Sequence, residues 1–393
     1  MAVFCFAWYT KQMLPLKKLF RNIRARRFAY EPLVKVMLSK NALLHNLHIF
    51  ERRCAPARIA PVLKSNAYGH GLLTIARELD KQKPVFLVVD SYYEALMIKN
   101  EGIASEVLII GYTRPEIIQS AKQAGIIFTI VSFDQLKEVA KNITRSTRIH
   151  IKIDTGMHRQ GIPVDKITEA ITILQKNRNI HVEGICSHLA DADVKNSQYT
   201  ELQITAWNDV YKTFSTVFST IKYAHVEATA GTRYAGKVMM NVARIGLGLY
   251  GIDSYEEPNT ALHPVLSMES IVVGIKELNK GEGVGYNQTF HAPTNMKIGI
   301  VPVGYFEGIP RALSNRGVVS VKNKACPIIG RVSMNMMSID VLGVDDIAEG
   351  DMVEVISNQR EHKNSVESIA NLCNVIPYEI LVRIPEKIRR VWK

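Results

Sequence analysis

Eight short apolar runs, each rich in β-branched side chains, punctuate the first two-thirds of this chain: Ile59–Leu63, Val85–Val89, Val107–Ile110, Ile127–Val131, Ile149–Ile153, Val182–Cys186, Tyr223–Ala228 and Leu247–Tyr250. Most are separated by segments of helical spacing, such as Leu73–Gln82, Tyr92–Glu101, Pro115–Ala124, Phe133–Lys141 and Val164–Gln175. A strand that is apolar along its whole length must be covered on both faces, and amphipathic connections supply the cover. The pattern therefore calls for a parallel sheet. About eight such units in some 220 residues fit an α/β fold of the (β/α)8 TIM-like barrel kind, with a doubly wound sheet as the alternative. Beyond about residue 265 the texture changes. Ile271–Lys276, Met296–Val303, Val318–Val321, Ile328–Met337 and Asp351–Ile356 read as strands joined by Gly, Pro and Asn turns, with one helix at Val366–Cys373. The expected organisation is a basic extension (1–32), a barrel domain (33–265) and a mostly β C-terminal domain (266–393).

A formal net charge of +12 suggests nucleic acid until it is located. Lys11, Lys17, Lys18, Arg21, Arg24, Arg26 and Arg27 fall in residues 1–30, which contain no acid, leaving about +5 for everything else. The remainder is too mild for a nucleic-acid surface. The extension reads as a nonstructural leader or an upstream start, since Met13 and Met37 follow in frame, with organelle import or surface binding as alternatives. Cys5, Cys54, Cys186, Cys326 and Cys373 are scattered without C-x-x-C pairs, which argues against a disulfide framework or a zinc site and suits a reducing compartment. No apolar run is long enough to span a bilayer.

Two short motifs mislead. Gly246-Leu-Gly248-Leu-Tyr-Gly251 satisfies G-x-G-x-x-G, but a dinucleotide site needs a helix opening there, and the following Ile252–Pro264 reads as loop. Asp154-Thr155-Gly156 has no second D-[ST]-G with which to share a proton, as aspartic-protease chemistry requires.

The informative segment is Pro61-Val-Leu-Lys64-Ser-Asn-Ala-Tyr68-Gly69-His70-Gly71. A lysine at the carboxyl end of a buried barrel strand sits where barrel enzymes place their catalysts. Desolvation there favours the neutral amine, which is nucleophilic enough to bond to an aldehyde. The segment closely resembles the cofactor-lysine motif of the alanine racemase family, and the resemblance runs from about Val34 to Val391 with its markers in the family order. It implies that Lys64 carries pyridoxal 5′-phosphate and that Tyr68 belongs to the cofactor site. Asp154-Thr-Gly-Met157-His-Arg159-Gln-Gly161 resembles the turn whose arginine binds the substrate carboxylate. Lys152 lies where many relatives carry a carbamylated lysine, a modification the sequence leaves open. Gly184-Ile-Cys-Ser187-His188 is similar to the strand end whose histidine lies by the cofactor ring, and Thr229 keeps the hydroxyl of the phosphate segment.

Arg244-Ile-Gly246-Leu247-Gly-Leu-Tyr250-Gly251 accounts for the misleading glycines: the resemblance gives Gly246 and Leu247 backbone amides to the phosphate and Arg244 to the pyridine nitrogen. A guanidinium only donates, so that nitrogen stays unprotonated and the ring is a restrained electron sink. Gly285-Tyr286-Asn-Gln-Thr289-Phe290 resembles the family's second-base segment, delivered from a partner subunit. Tyr305, in Gly304-Tyr305, matches the substrate gate, and Met334, in Gly330-Arg331-Val-Ser-Met334-Asn335, the residue that contacts the carboxylate across the dimer.

Three positions depart from the family pattern. Asn335 replaces an Asp, Ala228 an Asn, and Glu386 falls where a tyrosine contacts phosphate and lines the entrance, which puts strict alanine specificity in doubt. The resemblance implies a homodimeric enzyme in a bacterial cytoplasm that interconverts L- and D-alanine by two-base proton exchange, supplying D-alanine for peptidoglycan. In that scheme Lys64 serves the D-isomer face and Tyr286 the L-isomer face. A free tyrosine, with pKa near 10, is a poor base at neutral pH, so the His188–Arg244 pair is the expected perturbing network. The alternatives are a racemase of broader range, acting on serine, and a non-catalytic PLP carrier. The carrier resembles the barrel but lacks the β domain that holds Tyr286 and Met334. No metal, nucleic acid or membrane partner is expected.

Overall fold

The computed structural model describes residues 30–253, 255 and 261–393, so nearly all of the basic extension, with Cys5, lies outside the described residues. The chain begins with strand β1 (Lys35–Leu38) and helix α1 (Lys40–Cys54), capped by Ser39, whose side chain accepts from the Ala42 N–H. Eight parallel strands follow: β2 (Arg58–Pro61), β3 (Leu87–Val89), β4 (Val107–Ile109), β5 (Ile126–Ile130), β6 (Thr147–Asp154), β7 (Ile180–Cys186), β8 (Tyr223–His225) and β9 (Val242–Ile245). Neighbours pair from β3 to β8, and β9 pairs with β2. A bridge between Val62 and Val88 joins β2 to β3. The Asn241 and Arg244 amides, donating to the Ala224 and Glu227 carbonyls, join β9 to the β8 edge. The ring is thereby closed, as the sequence rhythm required.

Between the strands lie helices α2 (Leu72–Asp80), α3 (Tyr92–Asn100), α4 (Pro115–Ser120), α5 (Phe133–Asn142), α6 (Ile167–Lys176) and α7 (Gln198–Val217). Their starts are written locally. Ser91 and Glu94 form a reciprocal capping box on α3, Ser132 and Ser197 cap α5 and α7, and Pro115 occupies the first turn of α4. Ile126–Ile130 is buried at every position, the signature of a strand covered on both faces.

A second sheet is built from β10 (Leu266–Ile271), β11 (Gly274–Leu278), β12 (Met296–Val301), β13 (Val318–Val321), β14 (Lys324–Ile329), β15 (Met337–Asp340), β16 (Met352–Ile356) and β17 (Arg389–Trp392), with helices α8 (Val366–Cys373) and α9 (Pro377–Val382) before the last strand. Its order is β11-β12-β15-β14-β13-β16-β10-β1-β17. Strand β1 therefore joins the C-terminal sheet, antiparallel to β10 and parallel to β17, although residues 35–38 precede the barrel in the chain. This pairing returns the C-terminal strand to the neighbourhood of the first barrel strand.

Some elements differ from the sequence reading. Leu247–Tyr250 is a buried 3-10 turn, and the eighth barrel strand is Val242–Ile245 just before it. A short apolar run does not distinguish a strand from a buried turn. Here close packing decides, because a Cβ on Gly248 would lie 2.5 Å from the Phe50 ring. The strand expected over Ile328–Met337 breaks at Gly330, whose φ of +69° is in the left-handed region. Helices α1 and α7 were not anticipated. No helix among the described residues is long and apolar enough to cross a membrane.

Candidate active site

The lysine-bearing segment has unusual backbone. Ser65, Asn66, Ala67 and Tyr68 have φ of 55°, 56°, 52° and 51°, and Gly69 follows at +81°. Left-handed turns of L-residues cost about 1–2 kcal/mol per residue, so neighbours must hold this one in place. The Ser65 N–H donates to Glu94 Oε1 at 2.7 Å, the Ala67 N–H to the Leu63 carbonyl at 2.8 Å, and the Leu72 N–H to Asn66 Oδ1 at 2.8 Å. The same carboxylate that caps α3 thus anchors the turn. Lys64 itself follows directly on the bridge from Val62 to β3, at the carboxyl end of the barrel. Burial holds its ammonium below its ordinary pKa, with Arg159 and Arg244 adding to the effect against Asp90 and Glu94.

Lys64 opens into a cavity of about 320 Å³ whose wall also contains Tyr68, Lys152, Arg159, His188, Thr229, Arg244, Gly246 and Leu247. Nine of the residues singled out in the sequence thus converge, all from the carboxyl ends of barrel strands or the loops after them.

Arg244 is buried on β9. Its NH1 donates to the His225 carbonyl (2.7 Å) and to His225 Nδ1 (2.5 Å), and its NH2 to the carbonyls of Ser187 (2.8 Å) and Val226 (3.0 Å). NH2 also meets His188 Nδ1 at 3.3 Å. Since a guanidinium has no acceptor, His188 Nδ1 accepts, and neutral His188 carries its proton on Nε2. Burial, reinforced by Arg244, keeps His188 well below the ordinary histidine pKa and so neutral. Two histidines to which the sequence reading assigns no role complete this layer: His225, and His150, whose Nδ1 lies 2.7 Å from His225 Nε2. The signal was present in Ile149-His-Ile-Lys152, where polar residues two apart on an apolar strand share one face.

The remaining wall divides by chemistry. Thr229 Oγ1 accepts the Gly248 N–H at 3.0 Å, which leaves its own O–H free to donate outward. A Cβ on Gly246 would lie 2.5 Å from Tyr68 Oη, so only glycine lets that hydroxyl stand against the backbone there. Arg159 is exposed and also lines the cavity. Lys152 Nζ donates to Gln160 Oε1 at 3.2 Å, and burial holds its pKa down, with Arg244, Arg159 and Lys64 contributing. Tyr378, from α9, also lines the cavity, its ring 5.8 Å from that of Tyr68.

Tyr286, Tyr305 and Met334 do not reach this cavity. They stand 67%, 45% and 55% exposed on the C-terminal domain. The Tyr305 N–H donates to the Ser333 carbonyl and the Phe306 N–H to the Met334 carbonyl, so the 305 and 334 loops are joined. The departures acquire local explanations. Asn335 Nδ2 donates to Glu307 Oε1 at 3.0 Å, a bond an aspartate could not make. Glu386 is exposed and does not line the cavity, so its carboxylate is not part of the cavity wall. Beside Ala228, Glu227 is fully buried with neither carboxylate oxygen hydrogen-bonded, and burial pushes its pKa up to about 8.

These residues fit pyridoxal phosphate on their own chemistry. Arg244 has both terminal nitrogens engaged, while its Nε–H has no acceptor among the described residues, as a facing pyridine nitrogen requires. Hydroxyl donors at Tyr68 and Thr229 suit a phosphate, and a half-buried lysine with a depressed pKa suits an aldehyde.

Comparison with known proteins agrees with that chemistry. Residues 38–254 match the family model "Alanine racemase, N-terminal domain" and residues 265–392 match "Alanine racemase, C-terminal domain". The alanine racemase of Syntrophobacter fumaroxidans is 33% identical over 353 residues, covering 87% of this chain and 93% of that protein. That of Clostridium tetani is 32% identical over 358 residues, covering 89% and 92%. The crystal structure of alanine racemase from Bacillus anthracis with bound L-Ala-P superposes with a TM-score of 0.85 at 27% identity, covering 93% of this chain and 96% of that one. The alanine racemase from Bartonella henselae with covalently bound pyridoxal phosphate shares the fold, with a TM-score of 0.79 at 23% identity, covering 92% and 100%.

Proposed function

The chain belongs to the alanine racemase family, and on that premise we propose that Lys64 and Tyr286 are the two proton carriers of its reaction, set on opposite faces of the substrate in a composite site. It is a racemase that interconverts L- and D-alanine with pyridoxal 5′-phosphate as cofactor. Lys64, Tyr68, Thr229, Gly246, Leu247, His188 and Arg244 would hold the cofactor, which supplies the electron sink that makes the substrate Cα proton acidic. The observation that carries the residue assignment is the convergence of Lys64 with the donor-only face of Arg244 in one cavity.

Lys64 Nζ takes or returns the proton on the face it lines, the D-isomer face. Its desolvated position, with Arg159 and Arg244 nearby, lowers its pKa and favours the amine form that acts as a base. Arg159 sits at the mouth to receive the substrate carboxylate. A second copy of the chain supplies Tyr286 on the L-isomer face. Tyr286, Tyr305, Phe306, Met334 and Met336 are 67%, 45%, 51%, 55% and 54% exposed, a concentration of apolar surface that calls for a covering partner. His188, with its proton on Nε2, donates to a phenol oxygen brought to the cavity, favouring the ionised form that accepts a proton. Tyr305 and Met334 then border the substrate from the same partner. Burial lowers the pKa of Lys152, which favours the uncharged amine that adds carbon dioxide, and a carbamate there would face Arg159 with the opposite charge.

The test is Lys64→Ala. The purified variant is expected to lose the visible absorbance of the bound cofactor and all turnover, and borohydride reduction of the wild type should label the peptide containing Lys64. Retained colour and turnover, or a label elsewhere, would overturn the assignment.

A further inference from the structure

The left-handed turn that follows Lys64 is held at its far end by a residue from the opposite end of the chain. Arg390, on β17, donates from Nε (3.2 Å) and NH2 (2.7 Å) to the carbonyl of Gly69, the last residue of the turn. Its remaining donors close the 384–388 turn of its own segment. NH1 reaches the carbonyls of Pro385 (2.5 Å), Glu386 (3.1 Å) and Ile388 (2.6 Å), and NH2 that of Ile384 (3.2 Å). The aliphatic stem lies over Gly71, where a Cβ would come within 3.3 Å of Arg390 Cγ. Gly69 is confined from the same side, since a Cβ there would lie 2.1 Å from the Leu381 carbonyl oxygen. A charged group that makes six bonds to carbonyls, two of them on the catalytic lysine's own turn, is more than a surface cation.

From this geometry we infer that Arg390 is a positioning residue for Lys64: it fixes the carboxyl end of the 65–69 turn while Glu94 fixes the amino end, so the lysine is aimed by two clamps from different domains. The inference rests on Lys64 being the cofactor lysine. It also gives Glu386 a structural place, its backbone carbonyl serving the clamp while the residue is exposed and does not line the cavity. The neighbouring Lys387 sets its ammonium 3.2 Å from the centre of the Phe306 ring, on the exposed patch assigned above to a second copy. The surface that meets the partner and the turn that aims the lysine therefore share one short segment, 384–390.

The test compares Arg390→Ala, Arg390→Met and Arg390→Lys with Arg389→Ala, a change at the exposed neighbour, in the full-length protein. Hydrogen–deuterium exchange of the cofactor-free protein should show faster exchange in the peptide spanning 65–71 for Ala and Met, partial protection for Lys and no change for Arg389→Ala. Cofactor affinity, read by absorbance, should weaken by about tenfold or more for Ala and Met, as expected when two bonds to a charged donor are lost. Arg390→Met keeps the stem over Gly71 and so reads the clamp even if the alanine variant folds poorly. Unchanged exchange at 65–71 with wild-type cofactor affinity, and only a lower melting temperature, would overturn the inference. Borohydride mapping of the wild type separates the two readings: a label away from Lys64 defeats the lysine assignment, whatever the exchange data give.

Discussion

His225 Nδ1 lies 2.5 Å from Arg244 NH1, and because the guanidinium can only donate, that contact sets the proton positions of a whole buried chain. With Nδ1 accepting, neutral His225 carries its proton on Nε2 and donates to His150 Nδ1 at 2.7 Å. His150 must then hold its own proton on Nε2, which has no hydrogen-bond partner and sits beside Gly184, where a Cβ would be 2.7 Å away. The chain works only while both rings are neutral. Burial and Arg244 keep His225 well below the histidine norm, and burial with Arg148 pushes His150 down to about 3.

Acid sensitivity follows from these shifts. Below pH 6.5 the unfolded chain protonates these histidines while the folded protein does not, so the unfolded state binds more protons and stability falls as pH falls. Denaturant titrations between pH 6.5 and 4 should record a loss of roughly 3 kcal/mol or more from this pair. His150→Gln lowers the overall stability but should reduce the steepness of that limb by about one proton. An unchanged slope would mean that His150 does not contribute.

Glu227 works in the opposite direction. Its folded pKa of about 8 means that from about pH 4.5 to 8 the folded state keeps a proton the unfolded chain has released, so stability declines as pH rises through that window. The decline amounts to as much as roughly 5 kcal/mol. Glu227→Gln, neutral at every pH and nearly the same size, should flatten the alkaline limb and raise the melting temperature at pH 8.5. If the variant and the wild type keep parallel pH profiles above pH 6.5, Glu227 is not the titrating group.

Asn335 and Glu307 make a third, local case. Asn335→Asp would set a second carboxylate against one that is 8% exposed and already accepts the Gly304 N–H at 3.0 Å. The expected cost is about 2–3 kcal/mol at neutral pH, shrinking as the pH falls and one carboxyl takes a proton. Melting temperatures at pH 5 and 8 check it; an equal loss at both would point to something other than charge repulsion.

The sequence spoke most clearly where local and global signals agreed. Strands such as Ile126–Ile130, buried throughout, could only be interior strands, and Lys64, Arg159, His188, Thr229 and Arg244 each sit in a short contiguous motif. What was illegible depends on long-range closure. Nothing in Lys35–Leu38 announces that it pairs with Arg389–Trp392, and the role of Arg390 rests on that pairing. The 3-10 turn at Leu247–Tyr250 passed for a strand because its apolar residues are buried for reasons of packing rather than periodicity. The chemistry of His225 stays hidden in the sequence, since only the closed barrel brings it to Arg244 and His150.

The two-sided assignment is decided by Tyr286→Phe in deuterated solvent. Removing one hydroxyl from a residue 67% exposed in the single chain should leave folding and cofactor binding intact. Turnover should fall by about 10²–10⁴, the usual contribution of one acid–base group. The losses should be unequal between isomers. Washout of the α-proton of D-alanine, which depends on Lys64, should persist in the absence of full racemisation, while washout from L-alanine should drop with the turnover. Proton NMR follows both in one experiment. Equal retention of exchange from the two isomers would remove Tyr286 from the reaction, and equal loss from both would place it in substrate or cofactor binding rather than on one face.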